Sequence, residues 1–346
     1  MKKKILALIL ACAMILALAA CSGSANTEQP AAENTASDAA EAPAVSEETA
    51  ASAEGKTYTV GVCQLVQHEA LDAATQGFCD ALTEALGDAV TIDVQNASGD
   101  SVNCGTIVNG FVSKNVDLIM ANATPALTAA ASATADIPIL GTSITAYGVA
   151  LDIADFSGTV GGNISGTSDL ADLAAQAQMI LDWFPDTQKV GLLFCSAEPN
   201  SRYQIEEVAK YLADKGVETE EFAFTDTNDV ASVTQSAADY ADVVYIPTDN
   251  TAAANTEAIG NVLIPAGVPA ICGEEGICRG CGVATLSISY YDLGVTTGKM
   301  AAKILTGESN ISEMPVEFTD ATPKYSPSVC EQLGITPLEG YEAIEG

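Results

Sequence analysis

From Tyr58 onward, short apolar runs rich in Val and Ile alternate with longer segments whose apolar positions recur every three or four residues. Runs of the first kind predict buried parallel strands. They cover Tyr58–Leu65, Val90–Val94, Asp117–Ala121 and Ile137–Gly141. Segments of the second kind predict amphipathic helices: over Ala70–Leu86, residues Leu71, Ala74, Phe78, Leu82 and Ala85 share one face. Helices are also predicted over Ser101–Lys114 and Pro125–Ala135, the latter with Thr124 at its cap and Pro in its first turn.

A Gly-rich stretch, Gly158–Gly166, interrupts this rhythm, and then the alternation resumes. Helices are predicted over Leu170–Phe184 and Tyr203–Ala213, with a last long one over Tyr290–Leu305. Strands are predicted at Lys189–Phe194, Thr219–Phe224, Val243–Ile246, Ala270–Cys272 and Val283–Ile288. Two successive blocks of strand–helix units predict an α/β protein with two doubly wound, Rossmann-like parallel sheets. The break near Gly161–Asp169 is the expected crossover between them, and the chain after Pro315 reads as short and irregular.

The first 56 residues have a different pattern. Three lysines, an apolar run from Ile5 to Ala17 and Leu18-Ala19-Ala20-Cys21 fit a bacterial lipoprotein signal over residues 1–20, cleaved before an acylated Cys21. Residues 21–56 are then a lipidated cysteine and an acidic, disordered tether, since 22–55 offer almost no bulky apolar side chain. On this reading the protein sits on the extracytoplasmic side of the cell membrane, held by lipid. Its 346 residues suffice for two cores. Forty-six acidic against thirteen basic residues, net −33, argue against nucleic acid as a partner.

In open α/β sheets ligands bind where strands end at their carboxyl edge. In the first block those ends offer Gln64, His68, Asn122, Thr124, Ser143 and Thr145. In the second they offer Ser196, Asn200, Ser201, Thr248, Asp249 and Glu274. The set is neutral and hydrogen-bonding with a few acids, and basic side chains are scarce. This disfavours phosphate and suits a zwitterion, with helix amides after Thr124 or Ser201 taking a carboxylate and Asp249 or Glu274 an ammonium. Asp249 also reads as an ordinary helix cap. His68, the one histidine, cannot serve a serine nucleophile in a Gly-x-Ser-x-Gly elbow, because none occurs. Cys272, Cys278 and Cys281 form a thiol-rich segment; with no second Cys pair and no nearby His, free thiols or a local disulfide suit it better than zinc. No cofactor and no metal is expected.

The series Gly61-Val-Cys-Gln-Leu-Val-Gln-His-Glu-Ala-Leu-Asp72, Asn122-Ala-Thr-Pro125, Gly162-Asn-Ile-Ser-Gly-Thr-Ser-Asp169, Asn200-Ser201, Pro247-Thr-Asp-Asn-Thr251 and Ser289-Tyr-Tyr-Asp-Leu-Gly294 resembles the substrate-binding lipoproteins of ABC importers. More narrowly, it is similar to the group linked to tryptophan, tyrosine or phenylalanine uptake. The resemblance runs from about Tyr58 to Pro337. It implies a type I periplasmic-binding-protein fold, with residues 57–166 plus 287–313 in an N-terminal lobe and 167–286 plus 314–346 in a C-terminal lobe and tail. It also implies a monomer, a permease and its ATPase as partners, and Gln64, His68, Thr124, Asn200, Ser201, Thr248 and Asp249 as cleft-lining. Two departures fall where a ligand side chain would rest: Thr145-Ala146-Tyr147 in place of Thr-Asp-Pro, and the Cys-rich Glu274–Gly282 loop.

The expected function is therefore capture of a small zwitterion, an aromatic amino acid first, by hinge closure without catalysis. A nucleoside or sugar receptor of the same fold is the alternative within binding proteins. An extracytoplasmic sensory domain, or a hydrolase using His68, are the alternatives from other classes.

Overall fold

The computed structural model describes residues 55–345; the signal segment, Cys21 and nearly all of the tether lie outside them. Five strands begin the first lobe: β1 (Tyr58–Gln64), β2 (Val90–Asn96), β3 (Leu118–Asn122), β4 (Ile139–Ile144) and β5 (Ile164–Ser168). The second carries β6 (Lys189–Cys195), β7 (Glu218–Phe224), β8 (Val243–Ile246), β9 (Ala270–Cys272) and β10 (Ala284–Ser287). The tail adds β11 (Glu317–Phe318), β12 (Thr322–Tyr325) and β13 (Glu342–Ala343). The sheets run β11-β5-β4-β3-β1-β2 and β13-β12-β10-β9-β8-β6-β7. All pairings are parallel except the antiparallel β10–β12 pair. Each sheet thus repeats one winding, in which its first strand (β1 or β6) lies between the second and third. Such an order opens a crevice beside that strand's carboxyl end.

Helices cover both faces of each sheet. In the first lobe these are α1 (Glu69–Leu86), α2 (Ser101–Lys114), α3 (Thr124–Ala133) and the short α4 (Tyr147–Ala150). In the second they are α5 (Leu173–Trp183), α6 (Pro199–Asp214), α7 (Val230–Tyr240), α8 (Asn250–Ala253), α9 (Thr256–Ala266) and α10 (Glu275–Cys281). The chain then returns through α11 (Tyr290–Thr306) and ends near α12 (Pro327–Leu333). Phe111 and Leu127 fill one face of the first sheet, while Phe78, Leu82 and Met300 fill the other. The second sheet is likewise sandwiched, by Ile259, Leu263 and Ile277 on one side and Ile205, Val208 and Trp183 on the other. Helix α11 follows a second-sheet strand yet packs on α1, where glycines allow contact of the two backbones: a Cβ on Gly294 would lie 2.0 Å from Ala74 O. Crossovers at Asp169–Asp172, Ile288–Ser289 and Thr319–Ala321 therefore join the lobes.

The structure corrects several expectations. The Gly-rich stretch ends in a strand, β5, paired to β4, so the crossover begins only at Asp169. The composition concealed it because its polar members are buried and partnered: Ser165 donates to Met314 O at 3.0 Å, and Thr167 lies 2.8 Å from Thr297 Oγ1. The breaks placed at 166/167 and 313/314 move accordingly, since Thr167 and Ser168 pair with Glu317 and Phe318 in the first sheet. The tail is not irregular: β11 joins the edge of the first sheet, and β12 and β13 extend the second. The Glu274–Gly282 loop contains a helix, with Cys272, Cys278 and Cys281 as buried free thiols in the core.

Candidate ligand-binding site

The carboxyl ends of β1, β4 and β5 face those of β6, β8 and β9 across a narrow, nearly filled cavity. From the first lobe come His68, Ser143 and Thr145, with Asp169 on the crossover; from the second come Asn200, Thr248, Asp249 and Glu274. Asn250 and Tyr290 complete the polar wall, and Leu71 and Ala253 add apolar surface.

The two acids chosen from sequence to hold an ammonium are already engaged. Asp249 Oδ2 accepts from Cys195 N at 2.7 Å and Oδ1 from Ala252 N at 2.8 Å, capping α8. Glu274 Oε2 accepts from Gly276 N at 2.7 Å and Oε1 from Ile277 N at 2.5 Å, capping α10. Burial pushes these carboxyls up to about 8 and about 7, respectively, against the pull of those donors. Their role here is to hold helix starts in place.

Asp169 is different, and it was not among the site residues chosen from sequence. It is 5% exposed; Oδ2 accepts from Tyr290 OH at 3.0 Å, but Oδ1 has no partner. Burial pushes its carboxyl up to about 6, and the neighbouring hydroxyls of Thr145 and Tyr290 only partly offset that. Two more unpartnered buried oxygens line the same cavity, Ser143 Oγ and Asn200 Oδ1. Ser143 sits at a register shift in β4 with φ 56°, a left-handed conformation rare for a side-chain-bearing residue. Such irregularities re-aim a side chain and cluster at functional positions.

Other expected residues hold the walls instead. Gln64 is consumed locally, accepting from Thr75 Oγ1 at 2.6 Å and donating to Asp72 Oδ1 at 2.6 Å. Asn122 donates to Leu71 O at 2.9 Å beneath α1, and Thr124 begins α3 away from the cavity. Ser196 donates to Phe224 O at 3.1 Å, and Ser201 accepts from Asn200 Nδ2 at 3.3 Å behind the wall. Tyr147, part of the unusual segment after β4, turns into the core and donates to Gly141 O and Thr167 O; only Thr145 of that segment reaches the cavity. His68 does line it, with Nε2 3.4 Å from Asn250 Oδ1, and burial pulls its pKa below the usual range, favouring the neutral ring.

Two helix starts that meet the cavity, α1 behind His68 and α6, carry no side-chain cap. Glu198, at the cap of α6, turns its carboxylate to α8, where Asn250 N and Thr251 N donate to it at 3.0 and 2.8 Å. The first turn of α6, with Asn200 facing the cavity, has no side-chain cap.

The comparisons with known proteins agree with this geometry. The family described as ABC transporter substrate binding protein matches residues 59–340. The tyrosine-binding protein of Clostridioides difficile (strain R20291) is 33% identical over 270 residues, 77% of this chain and 78% of that one. A solved ABC domain from Streptococcus pneumoniae in complex with L-Trp is 30% identical and superposes with a TM-score of 0.79, covering 84% of this chain and all of the other. The ligand-free, open structure of a substrate-binding protein with adhesive properties from Clostridium difficile is 32% identical over 84% of this chain and 99% of that one, yet its TM-score is 0.64. At nearly equal coverage and similar identity, this chain superposes better on the liganded relative than on the open one. A family match over most of the chain, on two facing doubly wound lobes, makes this a member of the ABC transporter substrate-binding protein family, a binding component of a transporter and not an enzyme.

Proposed function

We propose that the chain captures an aromatic amino acid between its lobes and delivers it to a membrane permease served by an ATPase. The observation that carries the amino-acid reading is the trio of unpartnered oxygens, Asp169 Oδ1, Ser143 Oγ and Asn200 Oδ1, on one enclosed cavity. Buried polar atoms without partners are costly. An ammonium has three N–H donors for three such acceptors, and its charge answers Asp169. The uncapped start of α6 offers amides to the ligand's carboxylate. The neutral His68 ring supplies a flat surface beside a narrow space, which suits an aromatic side chain, as do the ligands named for two relatives.

Residues 1–20 would act as an export signal and Cys21 as the lipid-bearing residue, placing a monomer on the outer side of the cell membrane. Metabolic labelling with a palmitate analogue reads the anchor directly: label should appear in the wild type and disappear in Cys21→Ala. Calorimetric titration against the twenty amino acids tests the ligand class. Binding of tyrosine, tryptophan or phenylalanine above the rest is expected, and no heat from any of the three removes the reading.

A further inference from the structure

A line of alternating charges crosses from one lobe to the other beside the cavity. Arg279 stands on α10, the helix that Glu274 caps at the cavity wall. Its Nη1 donates to Glu69 Oε1, in the first turn of α1 and next to His68. Nη2 donates to Glu275 Oε1 at 2.9 Å, and Lys324 Nζ on β12 donates to Glu275 Oε2 at 2.6 Å. Glu69 belongs to the first lobe and the other three to the second, so the Glu69–Arg279 pair spans the cleft.

Partly exposed pairs are individually weak: the Arg279 and Glu69 side chains are 35% and 53% exposed. What gives this pair leverage is its surroundings. Without the guanidinium, Glu69 would meet Glu274 and Glu275 across the cleft, and beyond burial the charges of Glu69 and Glu275 already make Glu274 harder to ionise. In a chain of net charge −33, closure brings these acids together and opening separates them.

We propose that Arg279 is a positioning residue for ligand retention: paired with Glu69 across the cleft, it stabilises the closed form and sets the rate of ligand release without touching the ligand. A contact made only on closure lowers the dissociation rate and leaves association nearly unchanged.

The probes rest on the amino-acid reading above: stopped-flow dissociation of L-tryptophan and L-tyrosine from wild type, Arg279→Ala, Arg279→Glu and the exchanged pair Glu69→Arg/Arg279→Glu. Dissociation should quicken about two- to fivefold in Arg279→Ala and further in Arg279→Glu, with association within twofold of wild type. The exchange should bring dissociation back to within twofold of wild type, which a merely structural role would not produce. Near 1 M salt the Arg279→Ala difference should shrink. Unchanged dissociation, or an exchange no better than Arg279→Glu, overturns the proposal. If wild type binds neither probe, the ligand reading fails and the latch is judged on ligand-free protein instead. Spin labels at Val102→Cys and Ser236→Cys, in a Cys79→Ser background, then report the separation of the lobes. A smaller short-distance population in Arg279→Glu, restored by the exchange, supports the latch; identical distributions overturn it.

Discussion

His68 Nε2 lies 3.4 Å from Asn250 Oδ1, joining the residues that follow β1 and β8. These strands stand on the two sides of one relationship. β1 is the strand at which the first sheet changes its winding direction, and β8 neighbours β6, its counterpart in the second. The two ligand-binding crevices that doubly wound sheets create therefore face each other, and the contact closes one over the other. Replacing His68 by Ala removes a bridge and a ring but leaves α1 its other contacts. Ligand affinity should fall about three- to tenfold with little loss of stability, measured by calorimetry and thermal unfolding.

Asp169→Asn should be much more harmful to binding. It keeps the shape and the Tyr290 contact while removing the charge that meets an ammonium. Charged hydrogen bonds contribute about 1.5–3 kcal/mol, so affinity should fall roughly tenfold to a hundredfold in titration, with folding preserved.

The same residue predicts a pH dependence. In the empty cavity its carboxyl is raised to about 6, above its unfolded value, so this group favours the ligand-free fold at low pH and loses that contribution as pH rises through about 6. An ammonium ligand requires the ionised form. Binding must therefore release a proton below about pH 6, and affinity should fall by up to about tenfold per pH unit there while staying level above. Asp249, Glu274 and His68 share the cavity, so the diagnostic quantity is the part of this slope that Asp169→Asn abolishes.

Asp249→Ala should act on stability first. It removes acceptors from Cys195 N and Ala252 N, and a lost cap alone costs about 1–2 kcal/mol. Denaturant titration should show a lower midpoint. The protein that remains folded should keep more of its affinity than Asp169→Asn does.

Most of the α/β winding could be read from apolar periodicity, because buried parallel strands such as Val243–Ile246 are nearly continuous in Val and Ile. β5 could not, because Ile164-Ser-Gly-Thr-Ser168 is a buried strand whose hydroxyls find partners only in three dimensions. At the site, strand-end position drew attention to His68, Ser143, Thr145, Asn200 and Thr248, which the structure brings to one cavity. It could not separate a free carboxylate from a capping one. Asp249 and Glu274 each precede a helix, the signal for a cap, and the structure uses them so. Asp169 follows a segment that looked like a linker, although the motif carrying the family resemblance ends on it. Its free oxygen became visible only once Tyr290, 121 positions away, was seen to occupy the other.

In the proposed binding mode the ligand's amino group is held by Asp169, Ser143 and Asn200. Calorimetry of the wild type with L-tyrosine and with 3-(4-hydroxyphenyl)propionate, which keeps the ring and carboxylate but lacks the amine, tests it most directly. Clear binding of tyrosine and a loss of at least about a hundredfold for the analogue are expected. Equal affinity for the two would contradict it.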